Sequence, residues 1–104
     1  MKRAFLLENE TEDGAGDAVP MATGNAEISV VGTFDGATVT FQDCKFDENW
    51  ADVLDYTTGA ALSITAATNE IVLQCAPGTG RQIRATVANA GASTDLTVFA
   101  DFGA

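Results

Sequence analysis

The carboxylates that stand close enough together for cation chemistry lie in one segment, residues 43–55. A hard cation such as Ca²⁺ takes about six to eight oxygen ligands, and a crowded acidic segment could supply several of them. The spacing does not follow the Asp-x-Asn/Asp-x-Asn/Asp-Gly pattern of an EF-hand loop. We therefore interpret the segment as a solvated acidic loop and predict no metal site. Its carboxylates belong to Asp43, Asp47, Glu48, Asp52 and Asp55.

Other catalytic chemistry is excluded by composition or by spacing. The chain has no histidine, so it can form neither a Ser-His-Asp triad nor an imidazole metal site. The glycine-rich stretch 77–81 lacks the GxxxxGKS/T pattern of a phosphate loop, and we interpret it as a turn. A carboxylate pair for glycoside hydrolysis would need a substrate cleft, yet only Trp50 and Tyr56 offer aromatic platforms, and we expect Trp50 in the core. We predict no enzymatic activity and no cofactor.

Net charge restricts the partners. The chain has 104 residues, with 5 Lys+Arg against 15 Asp+Glu, which gives a net charge of −10. Nucleic-acid phosphates and anionic membrane surfaces attract Lys and Arg, so we predict neither nucleic acid nor membrane as a partner. The length fits one domain.

Cysteine usage and the N-terminal residues bear on the compartment. Cys44 and Cys75 are not in a CxxC arrangement, and we predict buried free thiols rather than a disulfide or a zinc site. The apolar run 4–7 follows two basic residues but is too short for the roughly 7–15 apolar residues of a signal peptide. No run approaches the roughly 20 apolar residues of a membrane span. We therefore predict a protein that carries no signal peptide.

Alternation of apolar and polar residues dominates the chain from residue 26 onward and predicts half-buried strands. A further short strand is predicted around Trp50 to Leu54, and Asp35-Gly36 has the composition of a hairpin turn. The spacing predicts an all-β fold, a single antiparallel β-sandwich or small barrel of about six to eight strands. The alternating runs are 26–30, 37–42, 62–65, 70–75, 82–87 and 95–100. The predicted core residues are Ile28, Val30, Val39, Phe41, Leu62, Ile64, Leu73, Ile83, Val87, Leu96 and Val98.

The N-terminal region has a different composition. Residues 8–25 are rich in acids and glycine and show no apolar period, so we predict an extended N-terminal arm or loop over 1–25 and a β-sandwich domain over 26–104. The apolar residues Phe5, Leu6 and Leu7 must be covered by the body of the protein or by a partner.

Five residues are candidates for partner binding. Phe5, Leu6, Leu7 and Phe102 are apolar residues near the ends of the chain. Arg84 should point outward from its strand, where it could pair with an acidic partner surface.

The order of the short motifs resembles that of small β-sandwich virion proteins of tailed bacteriophages. The resemblance is carried by GTFDGATVTFQ at 32–42, by WADV at 50–53, and by QIRATV at 82–87 followed by TDLTV at 94–98. These motifs are short, and each is in part a general β-hairpin pattern.

That resemblance implies a capsid decoration (cement) protein, which binds the outside of an assembled phage head and stabilises it. The implied partner is the lattice of the major capsid protein. The implied form is a homo-oligomer, for which a trimer is common, made in the host cytoplasm and located on the capsid surface. A neck or tail component, or a receptor- or carbohydrate-binding β-sandwich module, is the alternative.

Overall fold

The structure, a computed structural model, describes residues 2–20, 24–44, 50–54, 59–75 and 82–102. These residues contain strands and no helix, which confirms the all-β prediction, and none of them forms a helix that could span a membrane. The ten strands are β1 (Lys2–Glu10), β2 (Gly14–Ala15), β3 (Val19–Pro20), β4 (Gly24–Thr33), β5 (Thr38–Cys44), β6 (Ala51–Asp52), β7 (Ser63–Ile64), β8 (Thr68–Cys75), β9 (Gln82–Ala88) and β10 (Asp95–Phe102).

Two antiparallel sheets pack as a sandwich. Sheet A has the strand order β1-β10-β4-β8. Sheet B is built on the central pair β9 and β5, with the short strands β2 and β3 along β9 and β6 and β7 along β5. Each of the six alternating runs overlaps one of these strands, although the run 62–65 contains only the two-residue β7. The strand predicted around Trp50 is the two-residue β6. Because the two sheets are separate and pack face to face, the predicted β-sandwich is confirmed and the alternative of a small barrel is not.

The core lies between the sheets and is filled by every second residue of the long strands. Strand β9 shows the pattern clearly, because Ile83, Ala85 and Val87 are buried while the residues between them are half-buried. Such apolar burial stabilises the fold by roughly 25 cal/mol per Å² removed from water. Of the predicted core, Leu62 and Ile64 are only partly buried, and the side chain of Leu73 lies outside the described part. The confirmed core residues are Ile28, Val30, Val39, Phe41, Ile83, Val87, Leu96 and Val98.

The Asp35-Gly36 turn carries the chain from one sheet to the other, so the prediction that it closes a hairpin is wrong. Its local geometry is that of a primed turn: φ is +46° at Asp35 and +85° at Gly36, and the Ala37 N–H donates to the Phe34 carbonyl at 2.9 Å. However, β4 pairs with β10 and β8, whereas β5 pairs with β9. A tight turn needs positive φ whether it joins two paired strands of a hairpin or two strands in different sheets. Turn composition therefore does not distinguish a hairpin from a crossover.

The connection from β9 to β10, residues 89–94, is a second crossover of the same kind, because these strands also lie in different sheets. Hydrogen bonds join the two crossovers. Thr94 Oγ1 donates to the Phe34 carbonyl at 2.7 Å, and the Ser93 N–H donates to Asp35 Oδ2 at 2.8 Å. The Gly91 N–H donates to Thr94 Oγ1 at 2.8 Å. We call this arrangement the crossover clasp; it closes one end of the sandwich.

The described residues of the N-terminal region, 2–20, belong to the sandwich. Strand β1 is an edge of sheet A and pairs with β10, while β2 and β3 pair with β9 in sheet B. Between β2 and β3, the Gly16 N–H donates to the Ala85 carbonyl at 2.9 Å. The predicted arm 1–25 and the predicted domain 26–104 therefore share both sheets.

Two bulges interrupt β1. Phe5 lies opposite Phe99 and Leu7 lies opposite Val98, so Leu6 is an extra residue in the ladder. A bulge of this kind directs two successive side chains to the same face. A second register shift lies between Leu7 and Glu10 and contains a residue with positive φ, Asn9, at +48°.

Candidate functional site

The structure distributes the predicted contact residues over three parts of the sandwich. Phe5 lies on the outer face of sheet A, and Arg84 lies on the outer face of sheet B. Phe102 pairs through its backbone with Lys2 and Ala26, and its side chain lies outside the described part.

Leu6 and Leu7 require a correction. Their side chains fill the core and are 1% and 3% exposed, so neither reaches the surface where a partner could contact it. The bulge in β1 is the physical reason, because it turns both residues inward at a point where strict alternation would turn one of them outward. Of the apolar N-terminal residues, Phe5 remains as the contact candidate.

An aromatic pair with a stacked arginine occupies the outer face of sheet A. Phe5 and Phe99 lie directly opposite each other on β1 and β10, with ring centroids 5.8 Å apart and planes tilted by 59°. The Arg3 guanidinium lies 4.3 Å from the centroid of the Phe99 ring. Arg3 Nε contacts Asp101 Oδ1 at 2.7 Å, and Nη2 contacts Oδ2 at 3.1 Å. We call the face built around these four residues the aromatic face.

Apolar side chains continue across the aromatic face. Val31 on β4 and Val72 on β8 point to the same side as Phe5, and these three are 41%, 55% and 45% exposed. Among the described residues only one other large apolar side chain is exposed, Leu54, at 54%. Val31 lies opposite Thr97 and is thus a diagonal neighbour of Phe99, so Phe5, Phe99 and Val31 form an apolar cluster on three successive strands. Val72 stands apart from this cluster, opposite Glu27. Clustered exposed apolar side chains mark interaction surfaces.

The electrostatics of the aromatic face are acidic. Hydrogen bonding to Arg3, followed by the Arg3 charge, holds the pKa of the Asp101 carboxyl below its ordinary value, and the same contacts raise the pKa of Arg3. This pair is neutral as a whole. Glu27 and Asp95 are exposed on the same side of the sheet and add negative charge. The face thus combines apolar side chains with carboxylates, and Glu27 lies between Asp101 and Val72.

A second polar-aromatic arrangement lies on the outer face of sheet B. Arg84 Nε and Nη2 both donate to Gln42 Oε1, at 3.0 and 2.8 Å. The guanidinium carbon lies 4.1 Å from the centroid of a Trp50 ring, and Gln42 Nε2 donates to Asp52 Oδ1 at 3.3 Å. We call these four residues the Arg84 cluster. Arg84 lies on the outer face as predicted, whereas Trp50 is half-buried against it rather than in the core.

The acidic segment 43–55 is only partly described, since Asp47, Glu48 and Asp55 lie outside the described residues. Within the described residues, no three Cys, Asp or Glu side chains lie close enough together to hold a metal ion. Cys44 is a buried free thiol, as predicted, and the side chain of Cys75 is outside the described part.

Comparison with known proteins adds no relative. No family model matches the chain, and no curated protein and no solved structure matches it. The functional argument therefore depends on the two outer faces and on the motif order quoted above.

Proposed function

We propose that this chain is a structural binding protein of a phage virion, a capsid decoration protein that binds the outside of an assembled head and strengthens it. The observation that carries the proposal is the aromatic face, where three of the four exposed large apolar residues of the described chain share one side of one sheet. The motif order of the sequence supplies the kind of partner.

The geometry suits such a role because the face is already formed in the folded protein. Phe5 and Phe99 are held by ladder pairing and by ring contact, so little side-chain freedom remains to be lost on binding. Buried aromatic residues at the centre of an interface contribute more than exposed ion pairs, which are worth about 0–1 kcal/mol each. A protein that binds the assembled lattice and not loose subunits stabilises the lattice by mass action.

Charge gives the proposed partner its chemistry. At −10, the protein is repelled by packaged nucleic acid and attracted to a surface that presents Lys and Arg around apolar residues. We propose that this surface is the exterior of the major capsid protein lattice. By the same resemblance we propose a homo-oligomer, a trimer at a joint between capsid subunits.

The test is co-sedimentation with capsids that lack the protein. Wild type should sediment with the capsids and raise the temperature at which they break. Phe5→Ala should weaken binding by about tenfold or more, since it removes a central aromatic anchor. Leu54→Ala is the matched control, because it removes a similarly exposed apolar side chain off the aromatic face, and it should bind like wild type.

Two results would overturn the proposal. One is failure of the wild type to co-sediment or to protect the capsids; binding to purified tails instead would assign the protein to the neck or tail. The other is equal binding by the Phe5 and Leu54 variants. A deletion of residues 1–7 is not a useful test, because it would also remove the core residues Leu6 and Leu7.

A further inference from the structure

We propose that the Arg84 cluster is a binding site for a carboxylate, presented by an acidic peptide segment of a partner protein. The site lies on the outer face of sheet B, on the other side of the sandwich from the aromatic face. It is therefore independent of the proposed capsid contact.

The hydrogen-bonding capacity of Arg84 is incompletely used. A guanidinium carries five N–H donors, and here Nε and one N–H of Nη2 are directed to Gln42 Oε1. Three N–H groups remain, both on Nη1 and the second on Nη2, and the described residues provide no acceptor for them. These groups form the outer edge of the fork, the edge that binds a carboxylate with two parallel hydrogen bonds.

Arg84 also has no direct ion-pair partner among the described residues. Among the described residues, the one ion pair within 4.0 Å is that of Arg3 with Asp101. Asp52 contacts the amide of Gln42 and not the guanidinium. The chain has 15 Asp and Glu residues, yet the half-buried Arg84 is held by the neutral amide of Gln42 and by none of their carboxylates among the described residues.

A second stacked arginine of the same chain, Arg3, shows this arrangement with a carboxylate bound. Arg3 stacks on Phe99 at 4.3 Å just as Arg84 stacks on Trp50 at 4.1 Å. Arg3 uses Nε and Nη2 to hold a carboxylate of its own chain, that of Asp101. Arg84 uses the same two nitrogens to hold Gln42, so its charge and its outer edge are left for a carboxylate from outside.

The geometry favours a peptide carboxylate over other anions. The indole face that points to Arg84 is covered by the guanidinium, so it cannot also serve as a stacking platform for a sugar ring. A planar carboxylate matches the planar fork in two parallel hydrogen bonds. A phosphate can do the same, but its roughly two negative charges are repelled more strongly by this acidic protein than the single charge of a carboxylate. Since Trp50 and Gln42 already fix the guanidinium, little entropy is lost when the ligand binds.

The chain offers a direct reporter, because Trp50 is its single tryptophan. We would titrate the full-length protein with a peptide of six glutamates and follow indole fluorescence, with a peptide of six glutamines at equal ionic strength as the control ligand. The expected result is a saturable change with the glutamate peptide alone. Arg84→Gln should lower the affinity at least tenfold, and Arg3→Gln, the other stacked arginine, should leave it within twofold.

Gln42→Glu provides a second, independent variant. It places a carboxylate of the chain itself on Arg84, so it should weaken peptide binding several-fold while Arg84 and Trp50 are both retained; circular dichroism checks that each variant is folded. The proposal is overturned if Arg84→Gln binds the glutamate peptide like wild type. It is equally overturned if inorganic phosphate or an oligogalacturonate binds as tightly as the peptide.

Discussion

The hydroxyl of Thr94 donates a 2.7 Å hydrogen bond to the carbonyl oxygen of Phe34, and so joins the two crossovers that link sheet A to sheet B. Thr94 Oγ1 in turn accepts a hydrogen bond from the Gly91 N–H at 2.8 Å. Thr94 is 2% exposed, which makes it the one buried polar side chain among the described residues. A single hydroxyl thus satisfies a donor and an acceptor at the closed end of the core.

Replacing that hydroxyl by a methyl group should be costly. Thr94→Val keeps the shape of the side chain but leaves the Gly91 N–H without its acceptor, at about 1–3 kcal/mol for an unpaired buried group. The Phe34 carbonyl loses the bond from Thr94 and keeps the one from the Ala37 N–H. We expect a loss of about 1–3 kcal/mol in the free energy of unfolding, measured by urea denaturation. Thr94→Ser should retain most of the stability, and Thr33→Val, at an exposed threonine, should change it little. Equal stability of the two valine variants would disprove the role of the clasp.

The bulge in β1 predicts an unusual pattern of substitution effects. Leu6→Ala and Leu7→Ala should each lower the free energy of unfolding by about 2–5 kcal/mol, because each empties a buried position. Phe5→Ala should cost about 1 kcal/mol or less, since the ring is partly exposed. Thermal melts of the three variants decide the point. If β1 were a regular strand, one of the two leucines would face solvent, and its replacement by alanine would cost little stability.

Gly16 should tolerate no side chain. A Cβ at this position would meet the backbone carbonyl of Leu6 and lie 2.6 Å from Leu7 Cδ2, and the backbone atom cannot move aside cheaply. We expect Gly16→Ala to destabilise the protein by about 3 kcal/mol or to prevent folding. Ala18→Ser, at an exposed position two residues later, is the control and should melt like wild type. A stable Gly16→Ala protein would show that the connection between β2 and β3 does not pack closely against Leu6 and Leu7 of β1.

The ion pair on the aromatic face makes a prediction about pH. The pKa of Asp101 is lowered in the folded protein, so the pair stabilises the fold fully above the ordinary carboxyl pKa of 3.8 and loses this effect as pH falls through the lower folded value. Titration of the Asp101 carboxyl by NMR should give a midpoint below 3.8. Arg3→Gln should raise that midpoint towards the ordinary value, whereas Arg84→Gln on the other sheet should not. An unchanged midpoint in the Arg3 variant would contradict the assignment.

Period-two alternation identified six of the seven strands β4–β10, because one face of each sheet packs in the core and the other faces solvent. It missed β1, since the bulge at Leu6 and the positive φ at Asn9 break the period. It also assigned Asp35-Gly36 to a hairpin, because turn composition reports local backbone angles and not which strand lies alongside.

The candidate sites were less accessible to sequence reasoning than the fold. Phe5 was predicted as a contact residue, but its partner Phe99 is 94 positions away, and only the register of β1 against β10 brings the rings together. Arg84 was predicted to face outward, yet its stack on Trp50 depends on β5 and β9 being neighbours. One signal in the sequence could have helped: Gln42 and Arg84 both occupy polar, outward-facing positions of their alternating runs, 37–42 and 82–87.

The position of β10 in sheet A also has a consequence for the time course of folding. This strand lies between β1 and β4, so β1 has no partner in sheet A until residues near the C-terminal end of the chain have been made. Most of the residue contacts are distant in sequence, which is typical of domains that fold over milliseconds to seconds. During synthesis the apolar side of β1, with Leu6 and Leu7, therefore lacks its neighbour in sheet A until β10 has left the ribosome.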